Sequence, residues 1–265
     1  MRTVLLAIVL LAFGGCSREG RVERVEWTVM GTVAAVQWKG EAPAEPLVPP
    51  VKEVFARIEK LLNAHDSGSE LSRLAKEDDA TVLATCDPSV RPCYEMAFRL
   101  RDETGGLFNP RWKGPGTMDL GAIAKGYAVD CAAEKIRSSV GTTSVLVDLG
   151  GNLKAVSGTW STGIYRPLED GTEMFSLAAT SACATSGEYF RGAHIRDGRD
   201  GSEVTNRIYS VTVIHPTSAM LADGLSTVMF LMGRERGERF LRERHPEAKA
   251  IWISAQGLSF CKDSK

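Results

Sequence analysis

The second half of the chain falls into short runs rich in Val, Ile, Thr and aromatic residues, separated by turns, and no other feature limits the fold so strongly. Residues 144–148, 153–156, 160–165, 173–180 and 208–214 read as strands. Two helical patterns follow at 219–232 and 234–245. The stretches 248–253 and 258–261 flank Gln256-Gly257 and read as a hairpin. In the first half, residues 25–39 carry Trp, Val and Thr and read as one or two strands. Four Pro within 40–50 make that segment a connection. Helical spacing appears at 51–63, 88–104 and 121–138, and Ser69 could open a further short helix. Residues 107–120 hold Asn109-Pro110 and Gly114-Pro115-Gly116 and are too irregular for an element. The sum is an α+β chain, a mixed or antiparallel sheet packed with helices to one side.

The first fifteen residues stand apart from this pattern. One basic residue, Arg2, precedes an apolar run that ends at Gly14-Gly15-Cys16. The run is shorter than the roughly 20 residues a membrane-spanning helix needs, so it reads as a secretory signal. Small residues before a Cys predict lipid attachment at Cys16 after cleavage, with a plain buried signal Cys or simple secretion as the alternative. Residues 16–24 are then a charged tether and 25–265 a single domain, long enough to bury a large core.

Lys plus Arg number 32 against 33 Asp plus Glu. With no basic excess to neutralise a phosphate backbone, nucleic acid is excluded as the expected partner. Setting Cys16 aside leaves Cys86, Cys93, Cys131, Cys183 and Cys261, an odd number. A Cys86–Cys93 disulfide is left open by the spacing: an oxidising compartment allows it, while helix geometry near 89–100 can hold the two Cβ atoms apart. No Cys-x-x-Cys pair is present to propose a zinc knuckle.

Four clusters carry chemistry. Asp223 and Thr227 lie four residues apart on an otherwise apolar helix, which places a carboxylate and a hydroxyl on one face. Both are oxygen donors of the kind hard cations such as Mg²⁺ prefer; the plainer alternative is a capping Asp with a Thr bonded to its own turn. The small residues around Ala122, Ala124 and Gly126 open a helix that also holds Lys125 and Asp130. Such an opening exposes N–H groups to a phosphate, or a carbonyl to a cation. Lys125 is equally an ordinary solvated residue, and Asp119 equally a stabiliser of the helix start. The run Asp148-Leu149-Gly150-Gly151-Asn152 suits a tight turn or a close approach to a ligand, without a dinucleotide fingerprint. Finally, Thr185-Ser186-Gly187-Glu188-Tyr189 is followed by His194 and Asp197. His194 is the one histidine set among compact polar groups, and its imidazole could serve as acid or base or simply occupy a surface turn.

Taken in order, these pieces resemble the FAD:protein FMN transferase family (ApbE-type, also called thiamine biosynthesis lipoproteins). The matching residues are Met30-Gly31-Thr32, Ser69-Glu70-Leu71-Ser72-Arg73-Leu74, Phe108-Asn109-Pro110, the stretch 119–130, Asp148 to Asn152, Thr185 to Tyr189, His194-Ile195, Val211 to Ile214 and Ala222-Asp223-Gly224-Leu225-Ser226-Thr227. The resemblance implies an ApbE-like, T-fold-related architecture. It implies a lipid-anchored enzyme of the bacterial cell envelope, facing the periplasm or the outer surface. That enzyme would use Mg²⁺ to move FMN from FAD, its substrate, onto a Thr or Ser hydroxyl of an acceptor protein, a membrane redox subunit, releasing AMP. By the same resemblance Asp223, Thr227 and a backbone carbonyl at Ala124 hold the metal. Met30, Glu70, Lys125, Asp130, Asp148, Ser186 and Gly187 line the flavin and phosphate pocket, and His194 lies near the transferred phosphoryl. Asp223 and His194 are then the catalytic pair.

Three departures stand out. Asp197-Gly198-Arg199-Asp200-Gly201 replaces the usual Asp-Pro-x-Thr-Gly, Ala75 replaces an Asn, and a stretch of about thirty residues in the family is reduced to Arg111 to Met118. The shortening predicts a more open pocket. The alternative to an enzyme is a non-catalytic FAD- or metal-binding envelope lipoprotein.

Overall fold

The computed structural model describes residues 21–40, 43–141, 143–166, 171–187, 195–255 and 257–260. Cys16, Glu188, Tyr189, His194 and Cys261 fall outside that set. Strands β1 (Val22–Val29) and β2 (Thr32–Lys39) form a hairpin in which Val29 faces Thr32. The turn between them is Met30-Gly31, both left-handed with φ of 51° and 68°, the backbone that suits a two-residue hairpin. Strands β3 (Val145–Leu149) and β4 (Asn152–Ser157) turn in the same way through Gly150 and Gly151. These two turns lie side by side: the Gly150 N–H donates to the Val33 carbonyl at 2.9 Å.

Helices α1 (Val48–Leu62), α2 (Glu70–Leu74), α3 (Asp79–Thr85), α4 (Arg91–Glu103) and α5 (Ala124–Ile136) lie between the two hairpins in sequence. After β4 come a ribbon of β5 (Trp160–Arg166) and β6 (Gly171–Leu177), then β7 (Ala182–Gly187), β8 (Ile208–His215), α6 (Ala219–Met232), α7 (Arg234–Arg244), β9 (Lys249–Ser254) and β10 (Gly257–Phe260). The main sheet has the order β1-β2-β3-β4-β7-β8-β9-β10, and every neighbouring pair is antiparallel. Of the two sheet types left open by the sequence, the antiparallel one forms.

Period-two alternation divides the sheet into two faces. Val145, Val147, Leu149, Ala182, Ala184, Val211, Val213 and Trp252 join the large core beneath α1, α5 and α6. Leu146, Ala155 and Cys183 point the other way, onto Trp160 and Leu177 of the ribbon, and Ile251 and Ile253 meet Ile164. A sheet covered on both sides explains why these strands read as nearly continuous apolar runs.

Several boundaries differ from the sequence reading. Strand β1 starts at Val22, inside the expected tether, because Arg24 and Glu26 tolerate an edge strand and pair with each other. Helix α1 starts at Val48, since Pro49 and Pro50 occupy its first turn, where a missing N–H costs nothing. Helix α3 was not expected; Asp78 caps it by accepting from the Thr81 N–H. The Cys86–Cys93 bond is not formed. Both thiols are free and buried, Cys86 closing α3 and Cys93 packed into the first turn of α4.

Candidate functional site

The site grows from the crossing of α5 and α6. Gly126 sits where they touch: a Cβ there would lie 2.2 Å from the Ala219 carbonyl oxygen and 2.7 Å from the Asp223 Cβ. Only glycine permits that approach. The Gly126 N–H is thereby delivered to Asp223 Oδ2 at 2.9 Å. Asp223 is 6% exposed, and its other carboxylate oxygen takes no hydrogen bond from any described residue. Burial pushes the Asp223 carboxyl above its ordinary range, against the pull of Lys125 and the Gly126 N–H. Lys125 itself donates to the Gly121 carbonyl at 2.8 Å. A buried carboxylate without a bonded cation is costly and invites one.

One turn along α6, three hydroxyls meet. Ser226 donates to the Asp223 carbonyl at 2.8 Å. Ser186, on the helix-facing side of β7, lies 2.7 Å from Ser226 Oγ and 3.0 Å from Thr227 Oγ1. The expected alternative, a Thr bonded to its own turn, is not what forms: Ser226 takes the Asp223 carbonyl, and Thr227 bonds Ser186.

Asp130 has a different task. Its carboxylate accepts from Lys154 Nζ at 2.6 Å and from Ser218 Oγ, the Ala219 N–H and the Met220 N–H, each at 2.9 Å. Ser218 in turn caps α6 by accepting from the Leu221 N–H. Asp130 thus binds the positive end of α6 and fixes where the helix carrying Asp223 begins. Lys154 and Ser218 were not singled out from the sequence. A Ser ahead of an apolar helix is a readable cap; a lysine inside a strand gives no sign of pointing inward.

His215 holds the approach to the same helix. Its Nδ1 accepts from the Thr217 and Ser218 N–H groups at 3.2 and 2.9 Å, while Nε2 faces Glu247 at 3.3 Å. Two N–H donors on Nδ1 require the neutral ring. Burial lowers its pKa below 6.5, against the pull of Glu247 and Asp130, and His245 lowers it further. The folded state therefore resists a proton that the unfolded chain accepts, and stability falls as pH drops below about 6.5. His215→Asn keeps an acceptor and removes the titration. In thermal melts from pH 8 to 5, wild type should lose stability relative to this variant only on the acid side; parallel curves would contradict the assignment.

The remaining residues lie in other networks. Met30 donates its N–H to Glu59 Oε1 at 2.7 Å. Glu70 accepts from the Asp87 N–H at 2.9 Å and keeps its second oxygen buried and unpartnered. Asp148 accepts from the Gly151 N–H at 3.0 Å, and burial pushes its pKa to about 6. By strand alternation it faces away from α5 and α6, so the sheet separates it from Asp223. Asp119 accepts from Lys113 and the Gly121 N–H, both at 2.9 Å, at the approach to α5. Gly187 ends β7 opposite Ser210.

The departures in sequence have structural counterparts. A Cβ at Gly198 would lie 2.5 Å from Asn109 Cβ and 2.6 Å from the Gly106 carbonyl oxygen. The Gly198 N–H donates to the Leu107 carbonyl and Asn109 Nδ2 donates to the Gly198 carbonyl, each at 2.9 Å. The altered loop is thus docked by its backbone onto the Phe108-Asn109-Pro110 turn. The shortened segment is stapled by Arg111, which donates to Asp79 and to the Ala75 and Glu77 carbonyls.

No three His, Cys, Asp or Glu side chains converge on a common point among the described residues. Asp223 has instead the Thr227 hydroxyl four residues along the same helix and, through the Gly126 N–H, the first turn of α5, where Ala124 is buried. Asp223 and Thr227 supply hard oxygen donors of the kind a small divalent cation prefers, and no described residue bonds the second Asp223 oxygen.

A model of the ApbE family matches residues 111–252, the stretch from the Arg111 staple through α5, β7 and α6 to β9. An FAD:protein FMN transferase of Vibrio cholerae serotype O1 is 26% identical over 302 aligned positions, covering 89% of this chain and 90% of that protein. The alignment exceeds the chain's 265 residues, so that protein carries segments absent here. An FAD:protein FMN transferase of Treponema pallidum is 26% identical, with 95% and 90% covered. Among solved structures, the flavin transferase ApbE from Vibrio cholerae superposes with a TM-score of 0.74 at 22% identity, covering 91% of this chain and 97% of that one. The apo flavinyl transferase ApbE of Pseudomonas stutzeri gives 0.75 at 22% identity, covering 92% and 96%. The antiparallel sheet beneath crossed helices is the fold of those structures, and with the family model spanning more than half its length this chain belongs to the ApbE family.

Proposed function

We propose that the chain transfers FMN from FAD to a Thr or Ser hydroxyl of an acceptor protein, in a Mg²⁺-dependent reaction that releases AMP. The acceptor oxygen attacks the FMN phosphorus, the pyrophosphate P–O bond breaks so that AMP departs with the bridging oxygen, and the hydroxyl proton passes to solvent. Family membership and the shared name of the relatives support the reaction; the buried Asp223, with an oxygen that no described residue bonds, is the observation that carries the metal. Asp223, Thr227 and the Ala124 carbonyl would hold Mg²⁺, which when bound neutralises and polarises the pyrophosphate oxygens. The Gly126 N–H holds one Asp223 oxygen still and leaves the other for the cation. Lys125, fixed on the Gly121 carbonyl, adds positive potential beside the phosphates as a point charge. Asp130 acts by setting the start of α6. His194, by the resemblance, lies beside the transferred phosphoryl.

Lipid attachment through Cys16, on the periplasmic or outer side of the envelope, completes the reading, with a membrane redox subunit as acceptor. The Gly14-Gly15-Cys16 sequence supports it. Among the described residues no helix is long and apolar enough to cross a membrane. The reaction is tested by incubating the soluble chain with FAD, Mg²⁺ and a Thr-bearing acceptor domain and following AMP by chromatography. AMP should form in step with covalent flavin and stop on chelation; FAD bound without AMP would overturn the proposal.

A further inference from the structure

We propose that Ser226 and Ser186 form a hydroxyl relay that orients Thr227, so that Thr227 turns its lone pairs, not its proton, toward a divalent cation on Asp223. The relay rests on the reading of Asp223 and Thr227 as cation ligands and adds Ser226 as a positioning residue.

Proton bookkeeping carries the argument. Each hydroxyl has one proton to give. Ser226 gives its proton to the Asp223 carbonyl, which can only accept. In the 2.7 Å contact between Ser186 and Ser226, Ser226 must therefore accept and Ser186 donate. The Ser186 proton is then used, so in the 3.0 Å contact Ser186 accepts and Thr227 donates. The Thr227 proton points at β7, and its lone pairs are left for the side where Asp223 lies four residues back on the same helix face. A hydroxyl ligand must present a lone pair to a cation, and here that orientation is set before the cation arrives. Ser226 is completely buried, so water does not replace the missing partner when it is removed. Without Ser226, the Ser186 proton is free to turn to Thr227 Oγ1 and occupy the lone pair the cation requires.

The test is Mn²⁺ binding to the soluble chain, followed by paramagnetic resonance with Mg²⁺ as competitor, on wild type, Ser226→Ala, Ser186→Ala, the double variant and Asp223→Asn. Outer partners of metal ligands affect affinity by about 10–100-fold. Each serine variant should weaken Mn²⁺ about tenfold. The double variant should be no weaker than Ser186→Ala alone, because Ser226 acts through Ser186. Melting temperatures in chelator identify any loss due to unfolding, and if Ser226→Ala does not fold, the same tenfold loss in Ser186→Ala carries the test. Wild-type affinity in Ser226→Ala, or strictly additive losses, would overturn the relay while leaving the Asp223 assignment intact. Full Mn²⁺ binding by Asp223→Asn would overturn both.

Discussion

Asp223→Asn should lower the rate of AMP formation from FAD by about a thousandfold, since losing the charged ligand forfeits roughly 4 kcal/mol of phosphoryl stabilisation. Its effect on folding should be the opposite of a damaging change. The Asn oxygen has the shape and position to keep accepting the Gly126 N–H. Burial already works against the charged form of Asp223, and no described side chain bonds its second oxygen. In chelator, therefore, the variant should melt no lower than wild type. Adding Mg²⁺ should raise the wild-type melting temperature and leave the variant unmoved, because only the native wild type gains a bound ion. A Mg²⁺-dependent shift that survives in the variant would place the cation elsewhere. This pairing of a large kinetic loss with unchanged or improved stability separates a ligand from a residue that merely packs.

Gly126→Ala should do the reverse and damage the fold first. The added methyl meets the Ala219 carbonyl oxygen at 2.2 Å and the Asp223 Cβ at 2.7 Å. Both are parts of the α6 backbone or its root, so no rotamer change relieves the clash. The helices must separate, at a cost of about 3 kcal/mol, the upper end for overpacking. For a chain of this size that is about 6–12 °C in melting temperature. Separation also withdraws the Gly126 N–H from Asp223, so Mg²⁺ should bind more weakly in whatever remains folded. An unchanged melting temperature would mean that α5 and α6 do not cross at this point.

Most of the sheet was legible because its strands are built from β-branched and aromatic residues. Strand β7 was not: Ala182-Cys183-Ala184-Thr185-Ser186-Gly187 holds only small side chains and Thr, and strand preference is weak for such a run. It is a strand because α6 packs on one of its faces and apolar residues beneath the ribbon on the other, a tertiary reason that no local window contains. Asp223 and Thr227 were legible as a pair because a helix fixes their spacing. Asp130 was legible as a charged residue near the site, whereas its bonds to Ser218, Ala219 and Met220 span 88 to 90 positions. Ser226 was hidden for a subtler reason. A hydroxyl bonded to its own helix is common, and only the approach of Ser186 from another element gives its proton a direction. Glycines followed the same division: Gly150 and Gly151 announce a turn, while the need for glycine at 126 and 198 appears only with Ala219 and Asn109 in place.

Transfer of FMN to another protein through a cation held at Asp223 would leave its mark on the acceptor's mass. Intact-mass spectrometry of a Thr-bearing acceptor domain, co-expressed with the wild-type chain or with Asp223→Asn, tests it most directly. With the wild type the acceptor should be heavier by one phosphoester-linked FMN, and with the variant it should be unmodified. An unmodified acceptor in both cases, from a wild-type chain that is folded and loaded with FAD, would contradict it and favour a protein that binds flavin without transferring it.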